Sequence, residues 1–181
     1  MLKMGIMLKG KNLDLRALEP GDVDLLYDWE NDGKLWHLSN TVAPFSKFTL
    51  EQYVLSAGQD IYSAHQLRLM IDAIDEQQPK TIGSIDLFDF DPTNRRAGLG
   101  IFIVKEERKK GFASEALEIL MDYCFEVLHL HQLYCNITAD NEPSLKLFAK
   151  HGFKPVGLKK EWLHIRDKWV DEYLYQKLRD H

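Results

Sequence analysis

The chain has 181 residues, of which 45% are hydrophobic and 28% are charged, and its formal net charge is −5. A chain of this length can build one good core, so we predict a single domain over residues 1–181. The negative charge argues against a protein that binds nucleic acid, which would usually present a basic face, and it accommodates a cationic substrate more easily.

The first half of the chain predicts a strand, two helices and a three-stranded meander. Residues 13–18 alternate apolar and polar side chains, as a strand does, and Asp22 is a predicted N-cap for a helix that ends near Glu30. An irregular aromatic segment leads to a second helix over residues 49–57. Short polar turns favour antiparallel pairing of the three strands that follow, at residues 67–74, 81–90 and 97–104.

The second half predicts a helical crossover, another helix and a closing hairpin. A helix over residues 114–128 connects the fourth strand to a fifth at residues 132–138, and such a crossover implies parallel pairing. Asn141 is a predicted N-cap, and the glycine after His151 is the expected end of that helix. A strand over residues 153–156 and a hairpin then follow, with hairpin arms at residues 161–166 and 168–175.

Cysteine use and hydropathy predict a cytoplasmic protein. Cys124 and Cys135 lie in separate apolar segments, which indicates free core thiols in a reducing compartment. Residues 1–8 are short and interrupted by Lys3 and Gly5, unlike a signal peptide, and no run approaches ~20 apolar residues. We therefore expect no membrane association.

The segment between the fourth strand and the next helix reads Arg-Lys-Lys-Gly-Phe-Ala at residues 108–113. A short glycine-bearing loop exposes unpaired backbone N–H groups at a helix N-terminus, where the helix dipole is positive. Gly111 also lets the chain approach a ligand closely. These are the properties of a phosphate-binding loop. The hexad alone leaves an alternative open, namely an ordinary strand-to-helix turn with solvated lysines.

This hexad resembles the acetyl-CoA pyrophosphate loop of the GNAT family of N-acetyltransferases. A second segment, with Asn141 and Ser144 followed by the sequence Lys-His-Gly-Phe at residues 150–153, resembles another signature of that family. The resemblance covers residues 13–178. It implies an α/β (α+β) fold with a mixed, mostly antiparallel sheet of six to seven strands and about four flanking helices. It also implies that the fourth and fifth strands splay apart at the cofactor.

Within the family, the chain resembles the spermidine N-acetyltransferases and the ribosomal-protein alanine N-acetyltransferases. The matching positions are Arg16, Asp22, the Arg95–Arg96 pair, residues 121–125 and the late Trp169 and Asp171. The resemblance implies acetyl-CoA as co-substrate and a polyamine or a protein N-terminal amine as acceptor, and it leaves homo-oligomerisation open. A non-catalytic acyl-CoA-binding module is the alternative function.

The resemblance also implies which residues hold the cofactor. The end of the fourth strand would offer main-chain groups to pantetheine, the loop would hold the pyrophosphate, and the Asn-x-x-Ser segment would lie beside the thioester. These positions are Ile101, Phe102, Ile103, Val104, Arg108, Lys109, Lys110, Gly111, Phe112, Ala113, Ser114, Asn141 and Ser144.

The catalytic groups depart from the family pattern, because Gly98 and Phe148 stand where relatives often carry a glutamate base and a tyrosine acid. Positioning of the substrates could carry much of the catalysis, or other side chains could have taken over proton transfer. Asp86 is the preferred candidate for amine recognition or deprotonation through water, ahead of Asp89. Ser144 is the candidate for protonating the thiolate.

Three further sets of side chains have open roles. Tyrosines could act as alternative acids, and aromatic residues could form a rim for a cationic substrate, although packing is the more common role for both sets. The histidines lack metal-ligand spacing, and no metal is expected. The tyrosines are Tyr134, Tyr173 and Tyr175, the aromatic residues are Trp36, Phe45, Trp162 and Trp169, and the histidines are His37, His151 and His164.

Overall fold

A computed structural model describes residues 8–33, 41, 43–74 and 79–179 of the chain. Within them, seven strands form a single sheet: β1 Leu13–Ala17, β2 Leu67–Ala73, β3 Lys80–Asp91, β4 Arg96–Ile103, β5 Gln132–Thr138, β6 Lys154–Ile165 and β7 Lys168–Leu178. The helices are α1 Val23–Glu30, α2 Lys47–Ser56, α3 Ile61–Ala64, α4 Phe112–Asp122 and α5 Glu142–Lys150. The predicted α/β class with a mixed sheet is therefore confirmed.

The strand order in the sheet is β1-β2-β3-β4-β5-β7-β6. The meander of β2, β3 and β4 is antiparallel and the pairing of β4 with β5 is parallel, as the connections predicted. The parallel pairing is short, since it joins only Arg96 to Gln132, Ala97 to Leu133 and Gly98 to Tyr134. Beyond those pairs the two strands separate.

The main core lies between the sheet and α4, which packs against β1, β3 and β4. A smaller cluster joins α1 to α2 through the buried side chains of Leu26, Leu50 and Val54. The ring of Trp29 in α1 lies 5.2 Å from that of Phe102 in β4, between centroids, so this helix pair also contacts the sheet. Cys124 and Cys135 are free and buried, as predicted.

Asp22 does not cap α1 as the sequence suggested. Its carboxylate, only 4% exposed at the residue level, accepts two hydrogen bonds from the Arg16 guanidinium, at 2.7 and 2.8 Å. Arg16 Nε also donates to Asp72 in β2, at 2.7 Å. A bidentate arginine offers the carboxylate stronger hydrogen bonds than a helix N–H group, which explains why the predicted cap is replaced by an ion pair.

Other boundaries differ by small amounts. The helix α4 begins at Phe112, two residues before its predicted start, and its last turn, Tyr123–Val127, is a π-helix. The strand predicted at residues 153–156 and the first hairpin arm form one continuous strand, β6. Residues 75–78 of the turn predicted at residues 75–80, and the candidates Trp36 and His37, lie outside the described residues. No helix in the described ranges combines the length and apolar character of a membrane span.

Candidate active site

A cleft of about 750 Å³ opens where β4 and β5 separate. Its walls are formed by these strands, by α1, by the loop before α4 and by the first turns of α4 and α5. The separation confirms the predicted splay of the fourth and fifth strands. Strand edges that face a cleft need hydrogen-bond partners other than each other, which makes this place suitable for an amide-containing ligand.

The loop at one end of the cleft has the conformation that a close approach to phosphate requires. Gly111 is in the left-handed region, with φ of 91°, and no atom lies within 4 Å of the place where a Cβ would stand. Lys109 is also left-handed, with φ of 64°. The helix α4 starts immediately afterwards, and the first N–H groups of a helix have no partner within it. The residues present therefore suit a pyrophosphate group.

Most of the predicted cofactor residues line this cleft: Ile101, Phe102, Ile103, Arg108, Lys109, Gly111, Phe112, Ala113, Ser114, Asn141 and Ser144. Val104 is not among the cleft-lining residues, and its N–H donates to Ile82 O at 2.9 Å while its carbonyl accepts from Glu107 N at 3.0 Å. The Lys110 ammonium pairs with Glu107 at 2.7 Å and borders a neighbouring hollow instead of the cleft. Arg108 Nε donates to Ile103 O at 2.8 Å, which ties the loop to the end of β4.

Ser144 lies in the first turn of α5, where the sequence placed it. Its N–H donates to Asn141 Oδ1 at 3.3 Å, so Asn141 is the N-cap that was predicted. Phe148 lines the cleft one turn further along. It is 3% exposed and packs edge-on against Phe153, with ring centroids 5.1 Å apart. Ser144 therefore lines the same cleft as Phe148, one turn before it on α5.

Asp86 also lines the cleft, but it lies in an ion pair that the sequence did not predict. Arg68 of β2 donates through Nε to Asp86 at 2.6 Å and through Nη1 to Glu30 of α1 at 2.7 Å. The same guanidinium lies 5.5 Å from the centre of the Tyr53 ring. Burial raises the pKa of the Asp86 carboxyl, and Arg68 opposes that rise. The arginine in β2, a strand whose other charged residue is Asp72, was the signal that could have identified this group.

The position of the missing glutamate is filled by an aromatic ring. A Cβ on Gly98 would lie 2.1 Å from Cε2 of Phe88, its partner in β3. Phe88 in turn packs edge-on against Tyr134, whose hydroxyl donates to Asp89 at 3.1 Å. Asp89 is exposed and does not line the cleft, whereas Asp86 does.

The aromatic candidates within the described residues, Phe45, Trp162 and Trp169, do not line the cleft. Trp162 and Trp169 are 57% and 62% exposed and are not among the cleft-lining residues. Trp162 contacts the ammonium of Lys159, and Trp169 stacks on His164. Phe45 packs against the α1–α2 cluster. Among the described residues, no group of His, Cys, Asp and Glu side chains has the arrangement of a metal site.

The splayed strands, the left-handed glycine loop and the capped α5 match the architecture that the resemblance to acyl-CoA-dependent N-acetyltransferases implied. The model of the acetyltransferase (GNAT) domain family matches residues 12–154, and the chain belongs to this family. It is therefore an amine N-acetyltransferase that uses acetyl-CoA as co-substrate.

Similar proteins include spermidine acetyltransferases. The spermidine N(1)-acetyltransferase of Escherichia coli K12 is 31% identical, over 83% of this chain and 77% of that protein. The Vibrio cholerae spermidine N-acetyltransferase, in its crystal structure with CoA and spermine, has a TM-score of 0.83 and 25% identity, over 93% of this chain and 96% of that one. A dodecameric structure of the same Vibrio protein in an intermediate state has a TM-score of 0.76 and 26% identity, over 93% and 95% of the two chains.

Proposed function

We propose that the chain acetylates a primary amine, either a polyamine such as spermidine or the N-terminal amine of a protein. The observation that carries the proposal is the cleft itself, which has the glycine loop at one end and the Arg68, Asp86 and Glu30 group on its wall. Two carboxylates with one guanidinium leave one net negative charge, which favours an ammonium or an amine.

The cofactor would bind along the open edges of β4 and β5. Acetyl-CoA supplies an activated acyl thioester. Backbone N–H groups at residues 109–113 would hold its pyrophosphate, because they lie at a helix N-terminus. The main chain of Ile101 and Phe102 would pair with the amide-rich arm of the cofactor, beside Ile103, whose carbonyl accepts from Arg108. Asn141 would keep the first turn of α5 in place beside the thioester.

Asp86 and Ser144 are the proposed catalytic residues. Asp86 would bind the acceptor ammonium or accept its proton through water, since its carboxylate faces the cleft and its pKa is raised by burial. Ser144 would donate a proton to the departing thiolate. Because Gly98 and Phe148 replace the glutamate and tyrosine that relatives often carry, a second candidate function is an acyl-CoA-binding module without turnover.

One assay separates these two functions. Purified protein is mixed with acetyl-CoA and with a panel of polyamines and N-terminal peptides, and the released thiol is measured. Release with one acceptor class supports the transferase, whereas tight CoA binding without release for any acceptor supports the binding module. The predicted cytoplasmic location and homo-oligomerisation belong to this proposal, and sedimentation analysis tests the second of them.

The cofactor loop is tested by Gly111→Asp, with Gly111→Ala as the matched control. Both substitutions strain the left-handed backbone, but only aspartate adds a negative charge beside the pyrophosphate. We expect calorimetry to show CoA binding weakened at least about tenfold by aspartate, and less by alanine. Unchanged affinity in a folded Gly111→Asp protein would remove the loop from the cofactor site.

A further inference from the structure

A buried histidine lies directly behind the proposed cofactor loop. His151 Nε2 is 2.7 Å from the Ser114 hydroxyl, in the first turn of α4, and the His151 side chain is 5% exposed. Lys150 Nζ donates to the same hydroxyl at 3.0 Å. His151 Nδ1 faces Glu118 Oε1 at 3.6 Å. None of these contacts involves Arg68, Asp86 or Glu30, the group proposed to bind the acceptor.

The Ser114 hydroxyl links the two side chains. An ammonium only donates, so the Ser114 oxygen accepts from Lys150 Nζ. A hydroxyl has one proton and a second acceptor lone pair, and it shares its other hydrogen bond with His151 Nε2, in the direction that the ring tautomer sets. Burial lowers the pKa of His151, and Lys150 and Lys177 lower it further, while Glu118 opposes them. The lowered pKa favours the neutral ring, which adds no positive charge beside Lys150.

This arrangement places the Lys150 ammonium near the loop that is proposed to hold the pyrophosphate. Ser114 lines the cleft and also a neighbouring hollow of about 580 Å³, which Lys150, Lys110 and Gly111 border. An ammonium has three N–H groups, and only one is required by Ser114. A lysine held by a fixed hydroxyl loses less freedom when it binds an anion than a lysine that moves freely.

We propose that His151 is a positioning residue for the phosphates of acetyl-CoA. It orients the Ser114 hydroxyl, and through it the Lys150 ammonium, beside the free N–H groups of α4. The inference rests on the proposed cofactor site. It differs from a purely structural role, because the part that His151 has in ending α5 depends on its backbone N–H, which donates to Leu147 O and Phe148 O whatever the side chain is.

The test compares three ligands on the full chain: CoA, 3′-dephospho-CoA and pantetheine, with calorimetry for the first two and competition against CoA for the third. We expect His151→Leu and Ser114→Ala each to weaken CoA binding about 5- to 10-fold, as the loss of one well-oriented charged contact does. Pantetheine affinity should stay within about twofold, because pantetheine carries no phosphate. The dephospho-CoA arm shows whether the 3′-phosphate or the pyrophosphate accounts for the loss.

Two controls make the result specific. His151→Gln keeps a hydrogen-bonding partner for the Ser114 hydroxyl and should retain most of the CoA affinity. Lys146→Met removes an exposed lysine of α5 that pairs with Glu142, and it should leave CoA binding unchanged. The Ser114→Ala/His151→Leu double variant should lose no more than either single variant, since both act through one contact.

The outcomes that overturn the inference are distinct from those that overturn the cofactor site. Wild-type CoA affinity in folded His151→Leu protein would refute the positioning role, and so would an equal loss for CoA and pantetheine. If His151→Leu fails to fold, normal CoA affinity in Ser114→Ala refutes it instead. Wild-type protein that does not bind CoA at all would refute the site on which the inference rests.

Discussion

Asp86 is the residue that we propose for both acceptor binding and catalysis. Its carboxylate lines the cleft and keeps an ion pair with Arg68, which stays bound to Glu30 if Asp86 is neutralised. We expect Asp86→Asn to lower kcat/KM by roughly 10²-fold, because the isosteric amide can neither accept the amine proton nor attract the ammonium. Asp89→Asn is the matched control on the same strand and should behave as wild type. Steady-state kinetics with the best acceptor measure both.

Ser144→Ala belongs to the same experiment, since it removes the hydroxyl proposed to protonate the thiolate. It should lower kcat while leaving the N–H contact of Ser144 with Asn141 in place. Rates like those of the wild type in both Ser144→Ala and Asp86→Asn would exclude these two residues as catalytic groups. Positioning of the two substrates would then be the whole mechanism.

Gly98 is a residue whose replacement is limited by its neighbour. Gly98→Glu would place a Cβ against the Phe88 ring, at 2.1 Å, and such overpacking costs about 1–3 kcal/mol of folding stability. We expect the single variant to unfold at lower urea concentration and to gain no activity. Adding Phe88→Ala should recover part of the stability and give the glutamate access to the cleft. A fully stable Gly98→Glu protein would show that the ring moves aside at little cost.

At the scale of elements, periodicity predicted the strands and helices well, but it could not predict contacts between them. The alternation in residues 13–17 and the apolar face of α4 are local properties, and both elements formed where expected. Asp22 was assigned to its own helix because the sequence shows only neighbours along the chain. Its partner Arg16 lies on β1, so this ion pair depends on how β1 and the start of α1 pack together.

The candidate site also contains local motifs that the sequence predicted and contacts between distant residues that it did not. The glycine loop and the Asn141 cap are local motifs, so the sequence located them. Three other contacts join residues far apart in the chain: Arg68 with Glu30, Ser114 with His151, and Phe88 with the space above Gly98. They depend, in turn, on the packing of α1 against the sheet, on the packing of α4 beside α5 and on the register of β3 with β4. Spacing within a segment carries no information about any of these.

The attachment of the N-terminal segment to α4 gives a prediction at the same scale. The Glu115 carboxylate accepts from Lys11 N at 2.6 Å and from Asn12 N and Nδ2, both at 2.8 Å. Burial alone would raise the pKa of Glu115, but these hydrogen bonds lower it below its usual value. We expect Glu115→Gln to reduce the free energy of unfolding by about 1–3 kcal/mol at pH 7.

The sign of the pH dependence follows from the lowered pKa. A carboxylate whose pKa falls on folding stabilises the fold above its unfolded pKa, near ~4.3 for glutamate, and the contribution disappears as pH falls through the folded value. Urea denaturation should therefore show the two proteins converging as pH drops below about 4. The control Glu142→Gln, at an exposed ion pair, should change stability by less than about 0.5 kcal/mol. A difference that persists in acid would mean that Glu115 acts by packing.

Although the whole chain has a net charge of −5, each carboxylate that lines the described part of the cleft has a cationic partner. Asp86 and Glu30 share Arg68, and Glu172 pairs with Lys159 of β6. A polyamine would compete with these internal cations at each carboxylate. An acceptor with one ammonium requires only one such exchange. The comparison of spermidine with N-terminal peptides is therefore informative about charge as well as shape.

The pH dependence of the reaction follows from which group loses a proton. Burial raises the pKa of Tyr134 to about 12, and that of Cys135 likewise to about 12, so neither side chain is a base near neutral pH. If water or Asp86 relays the proton, kcat/KM should rise with pH towards the pKa of the acceptor, about 8 for an α-amine and about 10 for a polyamine. A stopped assay over pH 6–10, with the acceptor held well below its KM, measures this. An inflection that stays at one pH for both acceptor classes would instead identify a protein group as the base, and the amine would not control the rate.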